Sequence, residues 1–200
     1  MSIFVISDLP AEITCLVVLA GWIGFGLILA IGKSRASRAE VRREAKSRVG
    51  FLLQCAGYAI AIFFPRTFFS PIAPMSRAAE VALAGLTIAI TIASVCFCLA
   101  AAWALGKQWA LVARLVESHE LITSGPYAVV RNPIYLAMLG MMLATGLAVS
   151  RWQALVAGTA VFLIGNSIRI RSEEKLLRGA FGASFDEYAR SVPAFLPRLF

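Results

Sequence analysis

The chain has 200 residues, of which 60% are hydrophobic and only 15% charged, and its mean hydropathy is +0.80. Soluble domains sit near half apolar and a quarter charged, so this composition excludes a soluble globular enzyme, a disordered tail and a nucleic-acid-binding domain with a solvated surface. What remains is an all-α polytopic membrane protein, because long apolar runs are satisfied in lipid only by helices that bond their own backbone. The net charge of +8 then reads as basic cytoplasmic loops.

Five apolar stretches are predicted membrane segments, the last two of which either span with the help of flanking residues or dip deeply without a full crossing. The first runs from Glu12 to Gly32. It lacks a basic leader, carries Asp8 and Glu12 instead, and is too long for a cleavable signal, so it reads as the first membrane helix. Within it Ala20 and Gly24, and Gly26 and Ala30, are small residues four apart, a pattern that predicts close helix packing. A basic segment follows, with Lys33, Arg35, Arg38, Arg42, Arg43, Lys46 and Arg48. It has no interleaved aromatics on which bases could stack, which argues for topology and anionic headgroups rather than nucleic acid.

The second stretch is Val49 to Phe64, stopped by Pro65, and the third is Val81 to Leu105. The fourth and fifth, Ile134 to Val149 and Gln153 to Ile168, are each about 24 Å long at 1.5 Å per residue, short of a hydrocarbon core of about 30 Å. Only Ser150, Arg151 and Trp152 separate them, which predicts a short antiparallel hairpin. If the basic segment is cytoplasmic, only Arg66, Arg77 and Arg151 of the 19 Lys and Arg residues fall on the other side. That asymmetry places the N-terminus outside and the C-terminus inside.

Residues 1–105 thus read as membrane scaffold, and residues 106–200, made of a loop, the hairpin and a cytoplasmic helical tail, as the region where any chemistry should lie. The run from Glu173 to Phe181 is predicted helical with Gly182 as its stop. Phe185, Tyr188, Val192 and Phe195 then form an amphipathic segment that could roof a pocket or lie on the lipid surface.

Cys15, Cys55, Cys96 and Cys98 all lie in apolar segments and read as small buried hydrophobes, with neither a disulfide framework nor a zinc site. With His119 the one histidine, no multi-histidine metal site is expected. Polar residues gather in two blocks. In the first, Gly125-Pro126 signals a turn, and Asn132-Pro133 reads as an N-cap and first helical position. Capping leaves Tyr127, Arg131 and Tyr135, beside His119 and Glu120, unexplained. In the second, Arg169 and Glu173 are four apart on one helix face. They form either a plain helical ion pair, or a pair in which Arg169 fixes an anion while Glu173 holds a cation or hydroxyls.

These blocks resemble the C-terminal half of the isoprenylcysteine carboxyl methyltransferase family and related membrane methyltransferases. The residues that carry the resemblance are His119 to Tyr127, with Leu121, Gly125 and Tyr127 at the family's spacing; Arg131-Asn132-Pro133-Ile134-Tyr135; and, after the hairpin, Arg169, Glu173-Glu174, Leu177, Phe181-Gly182, Tyr188, Val192-Pro193 and Leu196-Pro197. Each motif alone is weak, but their order around the hairpin is specific.

The resemblance implies an S-adenosylmethionine-dependent methyltransferase. It implies a cofactor site made by His119, Glu120, Leu121, Ile122, Tyr127, Asn132, Pro133, Ile134, Tyr135 and Glu173. It puts Arg169 on the acceptor side and makes Arg169 and Glu173 the catalytic pair. The implied partners are the bilayer and a lipophilic acceptor, a prenylated cysteine or a lipid-like molecule, with no nucleic acid and no metal. One position departs from the pattern: Asn132 stands where the family has His, and an amide can hydrogen-bond but cannot titrate.

Methyl transfer from a sulfonium is an in-line displacement, and a carboxylate nucleophile, with a pKa of about 3.5, is already ionised at pH 7. A phospholipid amine or a small thiol would instead need a base, for which Glu173, Glu174 and His119 are candidates. The rival readings are a membrane NADPH-dependent reductase of the sterol-reductase type and a non-enzymatic scaffold or transporter component. Against the transporter, no ionisable residue sits mid-membrane to mark a pathway.

Overall fold

The computed structural model describes residues 9–35, 45–67, 70, 72–106 and 121–196. They form an all-helical membrane protein: α1 (Leu9–Arg35), α2 (Ala45–Phe63), α3 (Arg77–Leu105), a 3-10 turn (Gly125–Ala128), α4 (Pro133–Val149), α5 (Trp152–Phe181) and α6 (Ala183–Ser191). Among the described residues, α1, α3 and α5 contain helices long and apolar enough to cross a membrane, while Ser47–Phe63 and Pro133–Val149 are shorter apolar helices.

Local chemistry sets the helix ends. α2 stops two residues before Pro65, whose ring disfavours a helical predecessor. Ser76 caps α3, its hydroxyl accepting from the Ala79 amide at 3.4 Å. α5 ends at Gly182 with φ +52°, a conformation that glycine adopts without steric cost. The fifth apolar stretch and the polar helix expected after it are one element: α5 continues past Ile168 through the polar residues to Phe181. Nothing between Arg169 and Phe181 breaks a helix, so the hairpin joins a short arm, α4, to a long one across only Ser150 and Arg151.

α4 is the central element. It is apolar on every side, as a helix without a solvent or lipid face must be. Ala137 and Met141 pack with Phe25, Ile28 and Cys98 of α1 and α3. Met142 packs on the other side with Ala61 and Phe162 of α2 and α5. α1 and α3 turn large apolar residues outward, among them Leu16, Ile23, Leu27, Leu86 and Ile92, a surface that suits lipid. Several polar side chains inside the bundle are matched internally. Trp22 Nε1 donates to Thr145 Oγ1 at 2.9 Å, Tyr58 Oη to the Met138 carbonyl at 2.6 Å, and Thr87 and Thr91 to carbonyls one turn back at 2.8 and 2.9 Å.

The closest helix approach lies between α2 and α5. A Cβ on Gly57 would sit 2.6 Å from the Gly158 carbonyl oxygen, and one on Gly50 2.7 Å from that of Gly165. Two glycine pairs seven residues apart therefore zip the helices together in antiparallel fashion. The small residues expected to do this in α1 do not: Ala20, Gly26 and Ala30 face outward, and Gly24 makes only an ordinary contact with Val95. The cysteines also divide. Cys98 is in the core and Cys15 half-buried, but Cys55 and Cys96 are exposed on the outer helix faces, and all four are free thiols.

Candidate active site

At the end of the bundle where α4 begins, the chain enters through the 3-10 turn and leaves through α5 and α6, so two polar blocks distant in sequence meet there. Gly125, with φ +61°, opens the turn and Tyr127 drops into the interior, buried. Its backbone carbonyl accepts from Tyr188 Oη at 2.6 Å, which ties the turn to α6. Burial, reinforced by the Glu173 carboxylate, holds the Tyr127 phenol protonated well above its ordinary range. Burial likewise pushes the Tyr188 phenol up to about 12. Both therefore act as neutral hydrogen-bonding groups at physiological pH.

Two ion pairs organise the meeting point. In the first, Arg131 donates to Glu174 Oε1 from Nε and Nη2, each at 2.9 Å, with both side chains largely buried. Arg131 Nη1 also donates to the carbonyls of Ala189 (2.8 Å) and Val192, and the Arg131 amide donates to the Pro193 carbonyl at 2.9 Å. One residue thus staples the tail to the start of α4. In the second, Arg169 Nη2 donates to Glu173 Oε1 at 3.4 Å, and Tyr135 Oη donates to the same carboxylate oxygen. The Arg169 guanidinium lies over the Tyr135 ring at 5.1 Å, a favourable cation–π distance. The pair is more than a surface i,i+4 bridge: Arg169 is buried, and three helices contribute to its surroundings.

Asn132 occupies the N-cap position of α4, with Pro133 as first helical residue, but its side chain makes no capping bond. Nδ2 donates instead to the Ala194 carbonyl at 2.7 Å and reaches Glu174 Oε1 at 3.4 Å. The cap reading is corrected here: the tail lies across the helix start, and its carbonyls attract the amide donor. Beside the Arg131–Glu174 pair lies a recess. Leu121, Ile122 and Leu177 supply apolar wall, Tyr127, Phe185 and Tyr188 aromatic wall, and Arg131, Asn132 and Glu174 the polar edge.

Of the site residues anticipated from sequence, Leu121, Ile122, Tyr127 and Asn132 line this recess. Tyr135, Arg169 and Glu173 form the adjoining cluster. Pro133 is buried at the start of α4, and Ile134 packs toward α1 and α3. His119 and Glu120 lie outside the described residues. Two residues were not anticipated. Gln54 of α2 and Asn166 of α5, both fully buried, join end to end: Gln54 Nε2 donates to Asn166 Oδ1 at 2.9 Å, and Arg169 Nη1 donates to Gln54 Oε1 at 3.1 Å. Their signal was an amide side chain inside an otherwise apolar span, a sign easily passed over when only ionisable residues are counted. Among the described residues no three His, Cys, Asp or Glu side chains gather as a metal site requires.

The family model described as phospholipid methyltransferase matches residues 80–184, a span that covers most of α3, the turn, the hairpin and the recess except its α6 wall of Phe185 and Tyr188. Cobalt-zinc-cadmium resistance protein CzcN of Cupriavidus metallidurans is 39% identical over 97 residues, which cover 48% of this chain and 44% of its own. A probable protein-S-isoprenylcysteine O-methyltransferase of Oryza sativa subsp. indica is 35% identical over 94 residues, 46% of this chain and 49% of its own. Methanethiol S-methyltransferase 2 of Bradyrhizobium diazoefficiens is 36% identical over 80 residues, 37% of this chain and 27% of its own. The matched region is less than half the length of each of these relatives.

Proposed function

We propose, from the premise that this chain belongs to the phospholipid methyltransferase family and has protein-S-isoprenylcysteine O-methyltransferases among its relatives, that it is an integral membrane methyltransferase. In this reading it moves a methyl group from S-adenosylmethionine to a lipophilic acceptor, with a carboxylate of the prenylcysteine type as nucleophile. The observation that carries the reading is that the two polar blocks meet at the start of α4, where Tyr135 bonds to Glu173 and Tyr127 lines the adjoining recess.

The residues fit the proposed donor. A sulfonium that carries a purine and an amino-acid end asks for a carboxylate, aromatic faces and apolar wall in one place; the recess supplies the aromatic and apolar walls, and the adjoining Tyr135–Glu173 cluster supplies the carboxylate. Leu121, Ile122, Tyr127, Asn132, Pro133, Ile134, Tyr135 and Glu173 would hold it, together with His119 and Glu120. When bound, it supplies a methyl carbon activated for in-line displacement. Glu173 places negative charge beside the donor's cation in a site shielded from water, where such pairing is strong. Arg169 holds the acceptor carboxylate, which would otherwise be an unpaired charge in an apolar site. Catalysis then rests on alignment of nucleophile, carbon and sulfur at near-attack distance, with no general base. The tail, stapled by Arg131 and Asn132, excludes water. The excess of basic residues in segment 33–48 and the tail supports a cytoplasmic site and an outside N-terminus.

The relation to a methanethiol S-methyltransferase favours a second reading, a small thiol acceptor, in which Glu173 takes the thiol proton. The test is methyl transfer from labelled S-adenosylmethionine by the purified protein in lipid. Prenylcysteine, an ethanolamine lipid and a thiol are offered in parallel, and NADPH is titrated alongside. The carboxylate reading expects a base-labile methyl ester on prenylcysteine. Glu173→Gln and Tyr127→Ala should each weaken donor binding about tenfold or more, the worth of one hydrogen bond to a charged group. Binding of NADPH without any donor binding would refute the reading.

A further inference from the structure

The acceptor-side arginine does not stand on α5 alone. Arg169 reaches across to α2, where three residues within one turn receive it. Gly50 leaves room for its stem: a Cβ there would lie 2.6 Å from Arg169 Cγ. Phe51 sets its ring 5.8 Å from the guanidinium, on the outer face of the helix. Gln54 accepts from Nη1 at 3.1 Å.

The amide orientations follow from donor arithmetic. A guanidinium has only donors to offer, so Gln54 must turn Oε1 toward it. That leaves Nε2 for Asn166, which must present Oδ1, and the bond is 2.9 Å. Both amides are 1% exposed, so no water competes for these bonds. Arg169 is thereby fixed at one terminal nitrogen by a neutral amide and at the other by Glu173.

We infer that Gln54, oriented by Asn166, is a positioning residue of the acceptor site, and that it holds the Arg169 guanidinium in place without neutralising it. This rests on the reading above, in which Arg169 binds an anionic acceptor. An arginine side chain loses considerable rotamer freedom when it is held in one place, and a seat built in advance removes that cost from the acceptor's binding. Glu173 already sets one carboxylate against the guanidinium. A second carboxylate at position 54 would make the seat net negative and repel an anionic acceptor, whereas a neutral amide orients the guanidinium and adds no further negative charge. Acceptor recognition therefore extends into α2, far from the motif-bearing segments.

The experiment measures donor affinity, and acceptor kcat and KM, for the full chain in lipid with prenylcysteine and with thiol as probes. Gln54→Leu should lower kcat/KM for prenylcysteine about 10- to 100-fold, as loss of a hydrogen bond to a charged group predicts, while donor affinity stays within about twofold. Gln54→Glu keeps a polar partner for Arg169 and so guards against a simple folding defect. It should raise the KM for prenylcysteine more than that for the thiol. The double variant Gln54→Leu/Asn166→Leu removes both amides together, leaves neither unsatisfied, and should regain thermal stability without regaining prenylcysteine turnover.

Wild-type acceptor kinetics in the double variant, an unchanged prenylcysteine KM in Gln54→Glu, or equal loss of donor and acceptor binding in Gln54→Leu would overturn the inference alone. Absence of methyl transfer to prenylcysteine by the unaltered protein would overturn the underlying reading and the inference with it.

Discussion

Asn132 illustrates how a residue can sit where its motif places it and still serve another purpose. Asn before Pro at a helix start is a capping signature, yet the amide bonds the Ala194 carbonyl and approaches Glu174. With Arg131 it forms a two-residue clasp on segment 189–194. Asn132→Ala should therefore loosen the tail more than the helix. Loss of one buried bond is worth about 1–2 kcal/mol, readable as faster proteolytic release of the tail while the bundle's helical content is unchanged. Asn132→His would put a titratable ring beside the Glu174 carboxylate. The carboxylate favours the charged ring in the closed tail and raises its pKa there, so the added hold is full below the free imidazole value of about 6.5 and is lost as pH rises through the raised value. The parent protein, with an amide at this position, should show no such step when tail release is followed from pH 5.5 to 8.

Helix packing follows the same logic through glycine. On α2 and α5, Gly50 faces Gly165 and Gly57 faces Gly158 with backbone carbonyls where a methyl would have to go. A carbonyl cannot swing aside as a flexible side chain can, so Gly57→Ala must separate the helices and should cost about 1–3 kcal/mol, as overpacking does. Gly165→Ala should add a functional loss, because it disturbs the seat of Arg169 one turn away. Gly26→Ala is the matched control. Nothing lies within 4 Å of the added methyl, so thermal stability should be unchanged or slightly raised, alanine being the better helix former. Spacing alone did not separate these cases. Small residues four apart on α1 fit the known packing pattern, whereas those seven apart on α2 and α5 declare themselves only once the antiparallel pairing is known.

Across the whole molecule, what could be read from the chain was whatever depends on local pattern. Apolar runs gave the helices, Pro65 and Gly182 gave two of their ends, and the order of polar blocks around the hairpin gave Tyr127, Tyr135, Arg169 and Glu173 as neighbours. What could not be read depends on which helix lies against which: α4 as the buried centre, the exposed Cys55 and Cys96, and Gln54 reaching Arg169 across a separation of 115 positions. α4 also gives the molecule two polar ends about 25 Å apart, its 17 residues rising 1.5 Å each. The active-site candidate is one end. At the other, Arg66 donates to the carbonyls of Leu147, Ala148 and Ser150 at 2.8 Å and to that of Ser70 at 2.6 Å. It thereby satisfies the carbonyls left open where α4 ends. Ser150 Oγ donates to the Ala61 carbonyl at 2.6 Å, which binds the same turn to α2. Removal of a charge that serves four carbonyls leaves several of them unsatisfied in a half-buried place, so Arg66→Leu should lower stability by about 3 kcal/mol or more. Because the loss occurs at the end of α4 remote from the recess, donor affinity in the fraction that remains folded should be unchanged. Parallel measurement of thermal stability and S-adenosylmethionine binding in lipid checks this. A donor affinity that falls in step with stability would show that the two ends of α4 are coupled.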